Sequence, residues 1–143
     1  MGFDRVLLDT NVCIDAIHRR KPHDAYAQRI LDMSERKIFK GYVAAHTFDT
    51  IFYILIKNNT VEHVYQAIEG LRKTVNIATV SRGVIDKALE LKWPDFEDAI
   101  HYQSALDSKC DAIISRNPQD FIYAEIPVLL PLQFLEFIQS DQE

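Results

Sequence analysis

The chain has 143 residues, 48% of them hydrophobic and 26% charged, the size and composition of one ordinary globular domain over residues 1–143. Its 16 basic and 21 acidic residues leave a net charge of −5, which argues against coating nucleic acid by bulk charge but leaves room for a nuclease that gathers acids around a metal. Cys13 and Cys110 match no metal-binding spacing and read as core thiols in a reducing compartment. No apolar window reaches the ~18 residues of a membrane span and no signal peptide is visible, so a cytoplasmic protein with no membrane partner is expected.

In chain order, "RVLLD" (5–9) predicts a buried strand, and "NVCIDAI" (11–17) a helix with Val12, Ile14 and Ile17 in phase. "HRRKPH" (18–23) predicts a basic loop, and residues 24–37 a helix opened by an acid cap. "GYVAA" (41–45) reads as a strand, followed by a strongly apolar helix over 46–58 with Thr47 as its expected cap. Thr60 opens a helix over 60–74, "VNIATV" (75–80) is a strand, and Ser81 caps a helix over 81–93 that Pro94 stops. Asp95 enters a helix over 95–109, "DAIIS" (111–115) is a strand, and "RNPQDF" (116–121) a turn with one helical turn. "IPVLL" (126–130) is a last strand, and Pro131 starts a terminal helix.

Short, continuously apolar strands alternating with helices predict a parallel sheet covered on both faces. In such sheets the working site lies beyond the carboxyl ends of the strands. Asp9, Thr10 and Asn11 follow the first strand. His46, Thr47, Asp49 and Thr50 follow the second, and Ser115, Arg116 and Asn117 follow "DAIIS". Asp98 lies in the first turn of the helix entered at Asp95. Oxygen donors gathered at one sheet edge suit a hard divalent cation such as Mg²⁺, which can acidify a water and clamp a phosphoryl oxygen. Each residue also has a plainer reading. Asp9 sits where a helix cap is common, Asp95 is the natural cap of its helix, and Asp120 reads as a turn cap. His46 and His101 read as structural rather than as ligands. Arg19, Arg20 and Lys21 form a solvated loop or an RNA contact.

"LLDTNVCIDAI", "GYVAAHTFDTIFYIL", "DFEDAIHYQSAL", "DAIISRNPQDF" and "IPVLLPLQFL" resemble successive motifs of the PIN domain family over residues 5–138, and most closely the small VapC-type toxins. The resemblance implies a three-layer α/β/α fold with a mostly parallel sheet of four to five strands. It also implies a ribonuclease dependent on Mg²⁺ or Mn²⁺ that acts on RNA, is paired with a small antitoxin protein and is commonly a homodimer. On this pattern Asp9 and Asp98 bind the metal and, with Asn117, form the catalytic set, with Ala105 as the small residue seven positions after Asp98. Asn11 and Ser115 support them, with Asp95 or Asp49 helping, and Arg116 with the Arg19–Lys21 loop meets RNA phosphates.

One departure bears on all of this. The family carries a Glu in a T-x-x-E-L setting, where this chain has Thr50. Asp49 is one residue earlier, about 100° around the helix, and replaces it only if the helix start shifts. The competing expectation is therefore a degenerate domain that binds RNA or protein without cutting. A phosphotransferase using Asp9 as nucleophile is disfavoured, because Asn11 stands where a second acid is needed. Tyr65, Phe134 and Phe137 are the aromatics expected to favour a dimer interface.

Overall fold

A computed structural model describes residues 2–142, with side chains as far as residue 140. The elements are β1 (Arg5–Leu8), α1 (Thr10–His18), α2 (Asp24–Glu35), β2 (Lys40–Ala44), α3 (Ala45–Leu55), α4 (Val61–Thr74), β3 (Asn76–Ala78), α5 (Arg82–Leu91), α6 (Phe96–Asp107), β4 (Ala112–Ile114), β5 (Val128–Leu129) and α7 (Pro131–Gln142). One 3-10 turn, Pro118–Phe121, separates β4 from β5. This is the order that the hydrophobic periodicity predicts.

The five strands form one sheet in the order β3-β2-β1-β4-β5, and every pair is parallel. Because successive side chains point to opposite faces, each central strand feeds two cores. Val6, Leu8, Val43, Ala112 and Ile114 pack with residues of α1, α2, α3, α4 and α7 on one face. Leu7, Ala44, Ala78 and Ile113 pack with Tyr102 and Ala105 of α6 and with Phe121 on the other. Val6, Leu7 and Leu8 are wholly buried, at about 1.5–3 kcal/mol for each fully buried aliphatic side chain. The fold is therefore a three-layer α/β/α sandwich.

Local capping agrees with the sequence at three starts: Thr60 Oγ1 accepts from the His63 amide, Ser81 Oγ from Val84, and Asp95 Oδ1 from Asp98. Three expectations are corrected. Ala44, not Thr47, is the N-cap of α3; the backbone enters the helix three residues earlier, and Thr47 is buried inside its first turn. Asp24 is the first residue of α2 rather than its cap; it is buried and takes an ion pair from Lys21 at 3.2 Å. Phe134 is a core residue, edge-on to Phe39 with ring centroids 4.9 Å apart, so it offers nothing to an interface, whereas Tyr65 and Phe137 are exposed. Cys13 and Cys110 are free and buried, as expected, and burial pushes the Cys110 thiol up to about 12. Among the described residues no helix is long and apolar enough to cross a membrane.

Candidate metal centre

β1 is the switch point of the sheet: the chain leaves it toward β2 and β3, then returns on its other side as β4. A crevice opens there at the carboxyl edge. Asp9 stands at its floor, directly after β1. Its Oδ1 accepts the Thr10 amide at 2.8 Å, so it caps α1. Its Oδ2 accepts Ser115 Oγ at 2.7 Å and Asn11 Nδ2 at 3.4 Å. Capping and orientation toward a site are therefore not alternatives for Asp9, because one carboxylate has two oxygens.

Ser115, fully buried after β4, joins two strands: its hydroxyl donates to Asp9 and accepts the Asn117 amide at 3.0 Å. Asn11 Oδ1 accepts the Arg116 amide at 3.4 Å. The stretch after β4 is thus held against the stretch after β1, and Asn117 is carried to the crevice as the sequence implies.

Asp98 arrives from α6, half-buried in the first turn. Its carboxyl is pushed up to about 7 by burial first, then by the negative charges of Asp95, Asp9, Asp120 and Glu97. Asp9, 89 residues earlier in sequence, is thus one of the charges that raise Asp98. Asp120 does not cap the 3-10 turn, which has no side-chain cap; it joins the acidic group instead. Asp49 is exposed on α3 and is absent from the charges that act on Asp98. Thr50 turns its hydroxyl onto the His46 carbonyl of its own helix at 3.2 Å.

A hydrogen-bonded layer lies beneath the acids. His101 is wholly buried on α6. Its Nδ1 lies 3.0 Å from the Glu97 carbonyl, which can only accept, so Nδ1 carries the proton. Nε2 then accepts from hydroxyls, with Thr47 at 3.2 Å and Thr10 at 3.4 Å, and those two hydroxyls are 3.1 Å apart. Asp9 Oδ1 is 3.9 Å from Nε2, beyond hydrogen-bonding distance. Three elements, α1, α3 and α6, are pinned at this point. His101 is the hydrogen-bonded helix histidine that the sequence suggests, but its partners Thr10 and Thr47 lie 91 and 54 residues away and leave no local sign.

The basic residues fall elsewhere. Arg116 is bound by Asp15 of α1, Nε to Oδ2 at 2.6 Å and Nη2 to Oδ1 at 3.3 Å. Asp15 is buried and the Arg116 side chain is 26% exposed, so the guanidinium is tied into the fold along one edge. Arg19, Arg20 and Lys21 are exposed past the far end of α1, about 14 Å along a nine-residue helix from Asp9. A cavity of about 730 Å³ lined by Lys37, Lys40, Arg72 and Lys73 opens at the opposite, amino edge and touches none of the acids above.

The PIN domain family model matches residues 5–119. The chain belongs to the PIN domain family. No curated protein matches it in sequence. Among solved structures, VapBC2 from Rickettsia felis, bound to a DNA fragment from its promoter, matches with a TM-score of 0.69 at 15% identity over 87% of this chain and 96% of that one. A toxin–antitoxin complex from Klebsiella pneumoniae matches at 0.65 and 24% identity, over 88% and 97% of the two chains. VapC20 from Mycobacterium tuberculosis, a Sarcin–Ricin loop cleaving toxin, matches at 0.61 and 12% identity, over 76% and 86%. At these identities the likeness carries the PIN fold itself.

A divalent cation fits the donor chemistry of this PIN domain. Like charges crowd Asp98, and no Lys or Arg is among the charges acting on it; a cation is the counter-charge such a group lacks. Among the described residues no group of three or more His, Cys, Asp or Glu could hold a metal ion, so only the pair Asp9 and Asp98 would hold one, and the ion would keep several waters, as Mg²⁺ commonly does.

Proposed function

We propose that the chain is a divalent-metal-dependent endoribonuclease using Mg²⁺ or Mn²⁺, the toxin component of a type II toxin–antitoxin pair. The observation that carries this reading is a PIN fold that sets Asp9, held by the Ser115 hydroxyl, directly after the switch-point strand and Asp98 in the first turn of α6. Asp9 and Asp98 would hold the ion. When bound, the ion supplies Lewis acidity toward a phosphoryl oxygen and lowers the pKa of water. Ser115 and Asn11 orient Asp9, the Ser115 hydroxyl fixes the Asn117 backbone, and the Asn117 side chain would complete the catalytic set as a polar contact to the substrate. Asp95 holds the first turn of α6 and with it Asp98.

The solved structures that share this fold include a toxin–antitoxin complex and a Sarcin–Ricin loop cleaving toxin, which supports an antitoxin partner and an RNA substrate; a cytoplasmic setting belongs to the same proposal. Homodimerisation belongs to the same proposal, with Tyr65 exposed on α4.

A second reading has one specific observation in its favour. Thr50 stands where the family pattern implies Glu, with its hydroxyl turned to its own helix; this favours a degenerate domain that binds RNA or protein without cutting. Cleavage of a mixed RNA pool with Mn²⁺, Mg²⁺ or EDTA, by wild type beside Asp98→Asn, separates the two. Cleavage that needs metal and disappears in the variant supports the nuclease. Intact RNA in every lane supports the binding module.

A further inference from the structure

The amino edge of the sheet, opposite the acids, holds the cavity of about 730 Å³. Three stretches wall it: the start of β1, the turn from α2 into β2, and the turn from α4 into β3. Ser34 pins the last two together. Its hydroxyl donates to the Thr74 carbonyl at 2.6 Å and accepts the Gly41 amide at 3.1 Å. The approach is so close that a Cβ on Gly41 would lie 2.6 Å from Ser34 Oγ. The cavity is therefore built into the fold rather than left between loose side chains. Lys37, Lys40, Arg72 and Lys73 line it with Asp4 and Glu35. Four cations against two acids leave a surplus of two positive charges, before Arg5 is counted, in a chain whose net charge is −5.

The plainer account of such cations is that they serve helix ends, where Lys and Arg meet the last carbonyls and the dipole. Here those carbonyls are already taken. Met33 and Ser34, at the end of α2, accept the Ile38 and Lys37 amides. Leu71 and Thr74, at the end of α4, accept the Thr74 and Ser34 hydroxyls. Lys40 opens a strand and serves no helix end. The Arg5 guanidinium is spent on the Tyr42 hydroxyl and the Ser108 carbonyl. Among the described residues the side chains of Lys37, Lys40 and Lys73 make no ion pair. Arg72 Nη1 donates to the Val75 carbonyl at 2.9 Å, which fixes the guanidinium and leaves Nε and Nη2, a fork that can grip two oxygens of one phosphate. We propose that this cavity binds a small phosphorylated molecule of about the size of a nucleoside diphosphate. Its volume falls within the roughly 300–1,000 Å³ of small-molecule sites, and its surplus charge matches a phosphate dianion. Ile38 and Val75 add an apolar wall for the rest of the molecule. An RNA strand held at Asp9 and Asp98 fits less well, because the length of β2, five residues or about 16 Å, separates the two edges of the sheet.

The test is isothermal titration calorimetry of the full chain with ADP and with inorganic pyrophosphate, in EDTA so that no metal carries phosphate to Asp9 and Asp98. ADP should bind once per chain with a Kd below about 1 mM, and pyrophosphate should displace it. Lys40→Gln combined with Lys73→Gln, both at exposed positions, should weaken ADP roughly tenfold or more. Arg72→Gln should do the same, and Asp98→Asn should leave ADP binding unchanged. The lysine pair carries the result if the Arg72 variant does not fold. Absence of heat from both ligands at millimolar concentration overturns the proposal. So does ADP binding that survives in the lysine pair, or that pyrophosphate fails to displace. A single-stranded RNA that binds wild type in EDTA and not the lysine pair, with no binding of ADP, overturns it in favour of a nucleic-acid contact.

Discussion

Ser115 Oγ donates to Asp9 Oδ2 across 2.7 Å, joining residues 106 positions apart inside a buried crevice. The same oxygen accepts the Asn117 amide, so one hydroxyl sets both the carboxylate after β1 and the backbone after β4. Ser115→Ala leaves Asp9 Oδ2 with only the long Asn11 contact and leaves the Asn117 amide without its acceptor. The variant should lose about 1–3 kcal/mol of stability in urea denaturation and roughly tenfold or more in Mn²⁺ affinity. A variant that matches wild type in both would remove Ser115 from the site.

Arg116 and Asp15 form a forked ion pair whose acidic partner is buried. Removing the cation strands a buried carboxylate, which typically costs about 3–5 kcal/mol. Arg116→Ala should therefore unfold at clearly lower urea, whereas Arg19→Ala, at an exposed position, should stay within about 0.5 kcal/mol of wild type. Equal midpoints for the two variants would contradict the assignment of Arg116 to the fold.

Asp98 titrates near 7 in the folded chain against an ordinary 3.8. The folded state keeps a proton that the unfolded state releases, so the contribution of Asp98 to the stability of the metal-free protein is full below about pH 4 and is lost as pH rises toward 7. Asp98→Asn should abolish that decline. Allowing for solvent around a half-exposed carboxyl, the variant should exceed wild type by about 1–2 kcal/mol at pH 8 in EDTA, a rise of roughly 2–6 °C in Tm. Coincident melting curves at pH 8 would show that the charges around Asp98 are already relaxed.

Thr50→Glu restores the carboxylate that the family pattern implies. A further negative charge in the group should lower the Tm of the metal-free protein at neutral pH and raise Mg²⁺ affinity about tenfold or more. The comparison to make is the Mg²⁺-induced shift in Tm for variant and wild type. If Mg²⁺ raises both by the same amount, position 50 does not face the ion.

Much of this architecture is legible before any folding. The alternation of apolar runs and helical stripes carries the element order, and caps such as Thr60, Ser81 and Asp95 act within three residues of themselves, so their signal is local. The parallel sheet follows from strands that are apolar throughout, and its carboxyl edge follows from the polarity of Asp9, Ser115 and Asn117. Thr47 illustrates the opposite case. A threonine near a helix start looks like a cap, but whether the helix begins before or after it depends on the Thr10 and His101 side chains that bury its hydroxyl.

By itself the sequence determined the order of strands and helices, the family, and the presence of Asp9 and Asp98 at chain positions that a parallel sheet brings to one edge, because periodicity and strand polarity are properties of neighbouring residues. Only the tertiary structure decided that Arg116 is tied to Asp15, that Phe134 lies in the core, that Asp9 and Asp120 add their charge to Asp98, and that His46 is left with buried, unpaired nitrogens. Those outcomes depend on groups separated by tens of residues, and burial or pairing between such groups is set by how the layers pack.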